Sequence, residues 1–213
     1  MKVPDVKTPL GLRDRAILET LYSTGMRRGE LLALRLYDLN PETGVVHIHL
    51  GKGKKNRIVP IGERAFIWIR KYIEDARRQI VIEPDDGTIF LASNGTPLCD
   101  GSLGVIVRNL LLNSEVGKRG SCHLFRHTMA THMLEGGADI RFIQQMLGHA
   151  QLSTTEIYTQ VSIRKLREVF LATHPGARLK RKEECGSIEL EDAKEGSIFP
   201  LAAKIEAEEE SDY

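Results

Sequence analysis

The sequence predicts a mainly α fold with a small antiparallel β-sheet (α+β), and three observations carry that expectation. Apolar residues recur at helical spacing in several segments, most regularly at Phe66, Ile69, Ile73, Ala76 and Ile80, one face of a helix over about 63–80. Two short runs, Val45–Leu50 and Arg57–Ile61, flank a glycine-bearing basic turn, the pattern of a β-hairpin. Glycines placed just after helical runs (Gly25, Gly136-Gly137 and Gly148) mark helix ends.

Taken in order, residues 11–23 form a helix in which Ala16, Ile17, Leu18, Leu21 and Tyr22 cluster, and Thr24-Gly25 breaks it. A short second helix covers Arg28–Leu36 with Leu31, Leu32 and Leu34 inward, followed by a turn at Asn40–Gly44. Beyond the hairpin and the 63–80 helix, Thr88–Leu91 reads as a short strand and residues 101–113 as a helix. His123–Leu134 is helical, with Leu124, Phe125, Met129 and Met133 on its buried side. Asp139 caps a helix that runs to Leu147 and stops at Gly148. Ser153-Thr154-Thr155-Glu156 is a capping box whose helix places Tyr158 in its second turn. Val161–Thr173 is the last helix, ended by His174-Pro175-Gly176.

Composition narrows the class. Of 213 residues, 41% are hydrophobic and 28% charged, so the chain as a whole is not disordered. No apolar run approaches the ~18 residues of a membrane span, and the N-terminus carries no secretory signal pattern. Cys99, Cys122 and Cys185 are scattered and form no disulfide framework, so a reducing cytoplasm is the expected compartment. The net charge of +1 conceals an asymmetry: residues 183–213 hold 11 acidic and 2 basic residues, which leaves about +10 on residues 1–182. The expected organisation is therefore a folded domain over 1–180 and an acidic, disordered tail over 183–213, with a polyanion as the partner of the basic body.

Several side chains could carry chemistry. His123 and Arg126 share a helix face and together suit an anionic oxygen, since Arg offers a planar fork and His moves protons near neutral pH. His123 and His127 also have the i, i+4 spacing of a zinc site, but Leu124 stands where the general-base Glu belongs, Arg126 would repel the metal and no third ligand is evident. Gly148 frees the backbone so that His149 can turn back, and Tyr158 could bring its phenol to the same space. With a pKa near 10 that phenol is a poor nucleophile unless cations surround it and a phosphodiester is its target. Arg27 lies at a loop-to-helix junction suited to anions, and Lys52-Gly53-Lys54-Lys55-Asn56-Arg57 forms a basic finger suited to a nucleic-acid groove. Taken singly each has a plainer explanation: a surface His/Arg pair, an amphipathic core tyrosine, a capping arginine, a solvated charged turn.

Together these strings resemble the catalytic domain of the tyrosine recombinases (the phage-integrase family), most of all its Xer-like bacterial branch. Leu21–Leu31, Gly51–Arg57, His123–His127, Leu147–His149 and Ser153–Tyr158 carry the likeness, in the family's order, over residues about 8–175. The resemblance implies the recombinase catalytic-domain fold and a catalytic set of Arg27, Lys52, His123, Arg126, His149 and Tyr158. Tyr158 matches the nucleophile that forms a 3′-phosphotyrosyl link, and Arg27 and Arg126 the two arginines on the non-bridging oxygens. Lys52 matches the general acid, His123 the handler of the nucleophile's proton, His149 the second histidine on the phosphate, and Glu30 an acidic brace. No metal or cofactor is implied. The implied partner is double-stranded DNA, bound as a homo-oligomer (a tetramer on paired sites) or with a partner recombinase. Family members also carry an upstream helical domain that clamps the DNA, expected to be absent here. In the family the helix after the tyrosine docks into a neighbouring protomer, a role open to Val161–Thr173. The alternatives are a catalytically silent or truncated recombinase-like DNA-binding protein and a type IB topoisomerase.

Overall fold

The computed structural model describes residues 4–49, 56–114, 120–148 and 163–177. Lys52, His149, Tyr158, the capping box at Ser153, the domain boundary near 180 and the acidic tail lie outside the described residues. Within them the chain is mainly helical with one small antiparallel sheet, as expected from the sequence.

Helix α1, Pro9–Thr24, is defined at both ends by local chemistry. The Thr8 hydroxyl accepts the Gly11 N–H at 3.0 Å, Pro9 fills a position that needs no donor, and Gly25 closes the helix at φ +58. This helix packs on the helices that start at Glu63 and Cys122 and buries Ala16, Ile17, Leu18 and Leu21. Helix α2 is only Arg28–Leu32, shorter than predicted. Ala33 ends it, and Asp38 captures the backbone N–H of Arg35 at 2.8 Å, which diverts the chain into a 3-10 turn over Leu36–Asp38. Leu34 still reaches the core from the connecting residues.

Strands β1 (Leu39–Asn40), β2 (Val45–Ile48) and β3 (Arg57–Pro60) pair antiparallel in sequential order. The register sets Val45 opposite Pro60 and Ile48 opposite Arg57, so the hairpin prediction holds and β1 is an addition to it. The 63–80 helix is α3 (Glu63–Tyr72) and α4 (Arg78–Ile80) joined by a π-turn over Ile73–Arg77. Its deepest residues are Ala65, Trp68, Ile69, Tyr72 and Ala76, while Phe66, Ile73 and Ile80 of the predicted face are half-buried. The wider turn also carries Arg77 inward, where it grips both carboxylate oxygens of Asp85 at 2.8 and 2.6 Å and the carbonyl of Thr88. Because that carbonyl is taken by a guanidinium, Thr88–Leu91 makes two single bridges, to Arg35 and Pro97, instead of the predicted strand.

Helices α5 (Asp100–Leu112), α6 (Cys122–Glu135), α7 (Ile140–Leu147) and α8 (Ile163–Thr173) complete the described chain. Two apolar clusters result. The larger joins α1, the sheet, α3 and α5; the smaller joins the second half of α6 with α7 and α8. None of these helices is long and apolar enough to cross a membrane. Leu166 and Phe170 of α8 belong to the smaller cluster.

His174 locks that arrangement. Its Nδ1 accepts the Gly176 N–H at 3.0 Å and its Nε2 donates to the Tyr22 carbonyl at 3.1 Å, which uses both nitrogens of a neutral ring stacked on Phe170. Burial pushes its pKa from 6.5 down to about 4, with His132 adding to the shift and the Tyr22 carbonyl opposing it. The unfolded chain thus takes up a proton that the fold refuses, so stability is complete above pH 6.5 and falls as pH drops toward 4, by about 3 kcal/mol in total. Melting curves between pH 7 and 4 check this: a His174→Gln variant should start less stable at pH 7 and lose this part of the slope.

Candidate active site

Arg126 is the pivot. It lies on the buried stripe of α6, Cys122–Arg126–Met129–Met133, which is turned slightly from the predicted one; Leu124 and Phe125 are only half-buried and face the larger cluster. Only 8% of Arg126 is exposed, so its guanidinium must find partners. It donates through Nη1 to the carbonyl of Gly25 at 2.7 Å and through Nη2 to that of Leu147 at 2.8 Å. These carbonyls sit at the C-terminal ends of α1 and α7, where helix dipoles place partial negative charge. One side chain thereby joins two helix ends across the seam between the clusters. Burial, together with the charges of Arg27 and Arg57, pulls its pKa to about 10 against the opposing pull of Glu30, so it stays cationic at neutral pH.

Arg27 approaches from the N-cap position of α2. Its backbone N–H donates to Glu30 Oε2 at 2.8 Å, and its Nη1 lies 3.2 Å from Glu30 Oε1 and 3.4 Å from the Leu147 carbonyl. Its side chain is 43% exposed, and among the described residues Nε and Nη2 take no partner. Glu30 itself is buried. Burial raises its pKa, but hydrogen bonds from Arg57 and from the Arg27 backbone outweigh this, so the carboxyl ends below its ordinary value and stays ionised.

Arg57 is the residue that sequence reasoning missed. It opens β3 and grips Glu30 with both Nη atoms, at 2.8 Å to Oε1 and 2.7 Å to Oε2, while Nε donates to the carbonyl of Met146 at 2.9 Å. A signal was present: Arg57 is two residues from Val59, hence on the inward face of its strand, where a charge needs a partner. Gly148 makes room for it. At φ +66 it turns the chain out of α7, and a Cβ there would lie 3.0 Å from Arg57 Nη1.

Met26, Arg27, Arg28, Cys122, His123 and Arg126 line a shallow open depression at this junction. His123 is exposed in the first turn of α6, and Arg28 is turned aside to Asp100, 2.6 Å from Nε to Oδ1. Of the six predicted catalytic residues, Arg27, His123 and Arg126 are thus brought together. Lys52, His149 and Tyr158 lie outside the described residues. Glu30, which the resemblance implied as an acidic brace, accepts bonds from both Arg27 and Arg57. Among the described residues no three His, Cys, Asp or Glu side chains gather as metal ligands. Two guanidiniums, each with donors to spare, and an imidazole around a depression are suited to an anionic oxygen centre in which negative charge grows.

The profile of the Phage integrase family matches residues 1–164. Tyrosine recombinase XerC 2 of Ralstonia nicotianae is 44% identical over 205 residues, 96% of this chain and 57% of that protein. The chain therefore spans little more than half the length of that relative. Among solved structures, XerA recombinase aligns with a TM-score of 0.62 at 34% identity, covering 75% of this chain and 57% of the other. XerH bound to its difH substrate, in a pre-cleavage complex, aligns with a TM-score of 0.60 at 24% identity over 78% of this chain and 47% of the other, a likeness of fold.

Proposed function

The chain belongs to the phage integrase family, and on that footing we propose that it is a site-specific DNA recombinase that cleaves and rejoins strands through a covalent 3′-phosphotyrosyl intermediate. The observation that carries the proposal is the meeting of Arg27 and Arg126 at one depression beside His123, with the chain on either side anchored to the same point.

The phenol oxygen of Tyr158 attacks the scissile phosphorus as the bond to the 5′ oxygen breaks. The tyrosine proton passes to His123, and Lys52 protonates the departing 5′ oxygen. Arg27 and Arg126 hold the non-bridging oxygens while charge accumulates on them, and His149 hydrogen-bonds the same phosphate. Each guanidinium supplies fixed positive charge of the kind a divalent cation gives in other phosphoryl-transfer sites, so the scheme calls for no cofactor. Rejoining runs the steps backwards, with a 5′ hydroxyl displacing tyrosine. The bond energy is kept in the protein–DNA link and no nucleotide is consumed.

The proposed partner is double-stranded DNA, met by the basic body over 1–180, with the chain working in the cytoplasm as a homo-oligomer on paired sites or beside a partner recombinase. The relatives named above support this by their recombinase designation. The test is capture on a pool of random-sequence duplexes, each nicked so that the freed 5′ end diffuses away. A denaturant-resistant protein–DNA adduct that forms in chelator and whose DNA shares a common sequence is expected. Retention of duplexes without any adduct would favour the reading as a silent DNA-binding protein.

A further inference from the structure

Glu30 is a single carboxylate facing two arginines, and its allocation between them is uneven. An ionised carboxylate offers about four acceptor positions. Arg57 takes one on each oxygen at 2.8 and 2.7 Å, and the backbone N–H of Arg27 takes a third at 2.8 Å. The Arg27 guanidinium is left the fourth, its longest contact, at 3.2 Å. Arg57 is in turn held from the other side by the Met146 carbonyl and closely backed by Gly148, so it is not at liberty to swing away. The exposed partner is Arg27, and the buried one is Arg57.

We propose that Arg57 is a positioning residue whose task is to occupy Glu30: by saturating both carboxylate oxygens it prevents Glu30 from claiming the Arg27 guanidinium, and so leaves Arg27 open to an anion. The pair is thus an electrostatic decoy beside the site. Without Arg57, the buried carboxylate would have two vacated acceptor positions, and the nearest mobile donor to fill them is the guanidinium of Arg27. A bidentate Arg27–Glu30 pair would turn that fork away from the depression and cancel its charge. A purely structural bond between β3 and α2 makes the opposite forecast for the double variant below, since removing a second partner of a structural pair gives nothing back.

The proposal rests on the recombinase reading, and the test separates the two. On a nicked duplex recovered from the random pool, single-turnover adduct formation and duplex affinity are measured separately. Arg57→Met is expected to slow adduct formation by about a hundredfold, with affinity changed by no more than about threefold, because one misplaced group at the reacting centre costs on that scale. Arg57→Met with Glu30→Gln should recover at least about tenfold over Arg57→Met alone: the neutral amide can still accept the Arg27 backbone N–H but no longer holds its guanidinium. A double variant no faster than Arg57→Met, or an Arg57→Met variant as fast as wild type, overturns the proposal. Should Arg57→Met lose its cooperative melt, Arg57→Lys serves instead: it keeps the charge, covers one oxygen, and should be slowed less but rescued by Glu30→Gln in the same way. If the unaltered chain forms no adduct on any duplex, the recombinase reading fails alone. Arg57 is then judged by inorganic sulfate binding, followed by the NMR shift of the Arg27 Nε–H. Binding lost in Arg57→Met and regained in the double variant upholds the decoy; equal binding in all three overturns it.

Discussion

Tyr158→Phe is expected to abolish covalent capture of DNA, by at least ~10⁴-fold in rate, while duplex affinity stays within about twofold of the unaltered chain. The loss is so large because it removes the atom that, on the proposed mechanism, becomes bonded to phosphorus, and among the described residues no other phenol stands ready to replace it. Tyr22 hydrogen-bonds His132 at 2.9 Å, and burial, reinforced by Glu19, pushes its pKa to about 12 despite Arg64. Tyr72 is buried with its hydroxyl accepting the Leu91 N–H, and burial likewise raises it. Tyr37 is exposed on the Leu36–Asp38 turn and does not line the depression. Affinity is spared because binding draws on many phosphate contacts, to which one phenol adds little. Denaturing gels of the nicked-duplex reaction read the first quantity and fluorescence anisotropy the second. An adduct from Tyr158→Phe would show that a different nucleophile is at work.

The second large effect falls on Arg126. Its replacement by Ala or Lys is expected to lower the rate of strand cleavage by about 10²–10³-fold, the scale for losing a fixed donor to developing charge. The two variants should then part company in stability. Ala leaves the Gly25 carbonyl without its donor, a cost of about 1–3 kcal/mol, and the Leu147 carbonyl with only the 3.4 Å contact from Arg27, partly offset because a desolvated charge is no longer buried. The net expectation is a loss of about 2 kcal/mol in urea unfolding. Lys keeps the charge but cannot fork to two carbonyls and an anion at once, so it should be more stable than Ala and nearly as slow. Full cleavage by Arg126→Lys would mean that the guanidinium only ties helix ends together.

These two cases mark where local signals were enough and where they were not. Most helix ends were legible because each is decided within a few residues: Asp139 caps the next turn, and Gly25 and Gly148 adopt the left-handed conformation that closes a helix, whereas the Thr8 cap starts α1 two residues before the apolar pattern that was read. The hairpin was legible from its turn and its β-branched flanks. The extent of α2, the rotation of the α3 face and the single bridges at Thr88 and Leu91 were not, because side chains of Asp38 and Arg77 intervene from outside the apolar pattern. Arg27, His123 and Arg126 could be named through the motifs that resemble the family's, and the fold brings all three to one depression.

How those cations share their partners belongs to a different level. Arg57 and Glu30 are 27 residues apart, and Arg126 and Gly25 are 101 apart. Helical and strand periodicities reach only a few positions along the chain, so they carry no information about such pairs. Residue types and helix limits are written in neighbouring amino acids; which arginine is held by Glu30 and which is left open to an anion is settled only when α2, β3, α6 and α7 pack together, because a buried carboxylate goes to the donors that the fold sets closest to it.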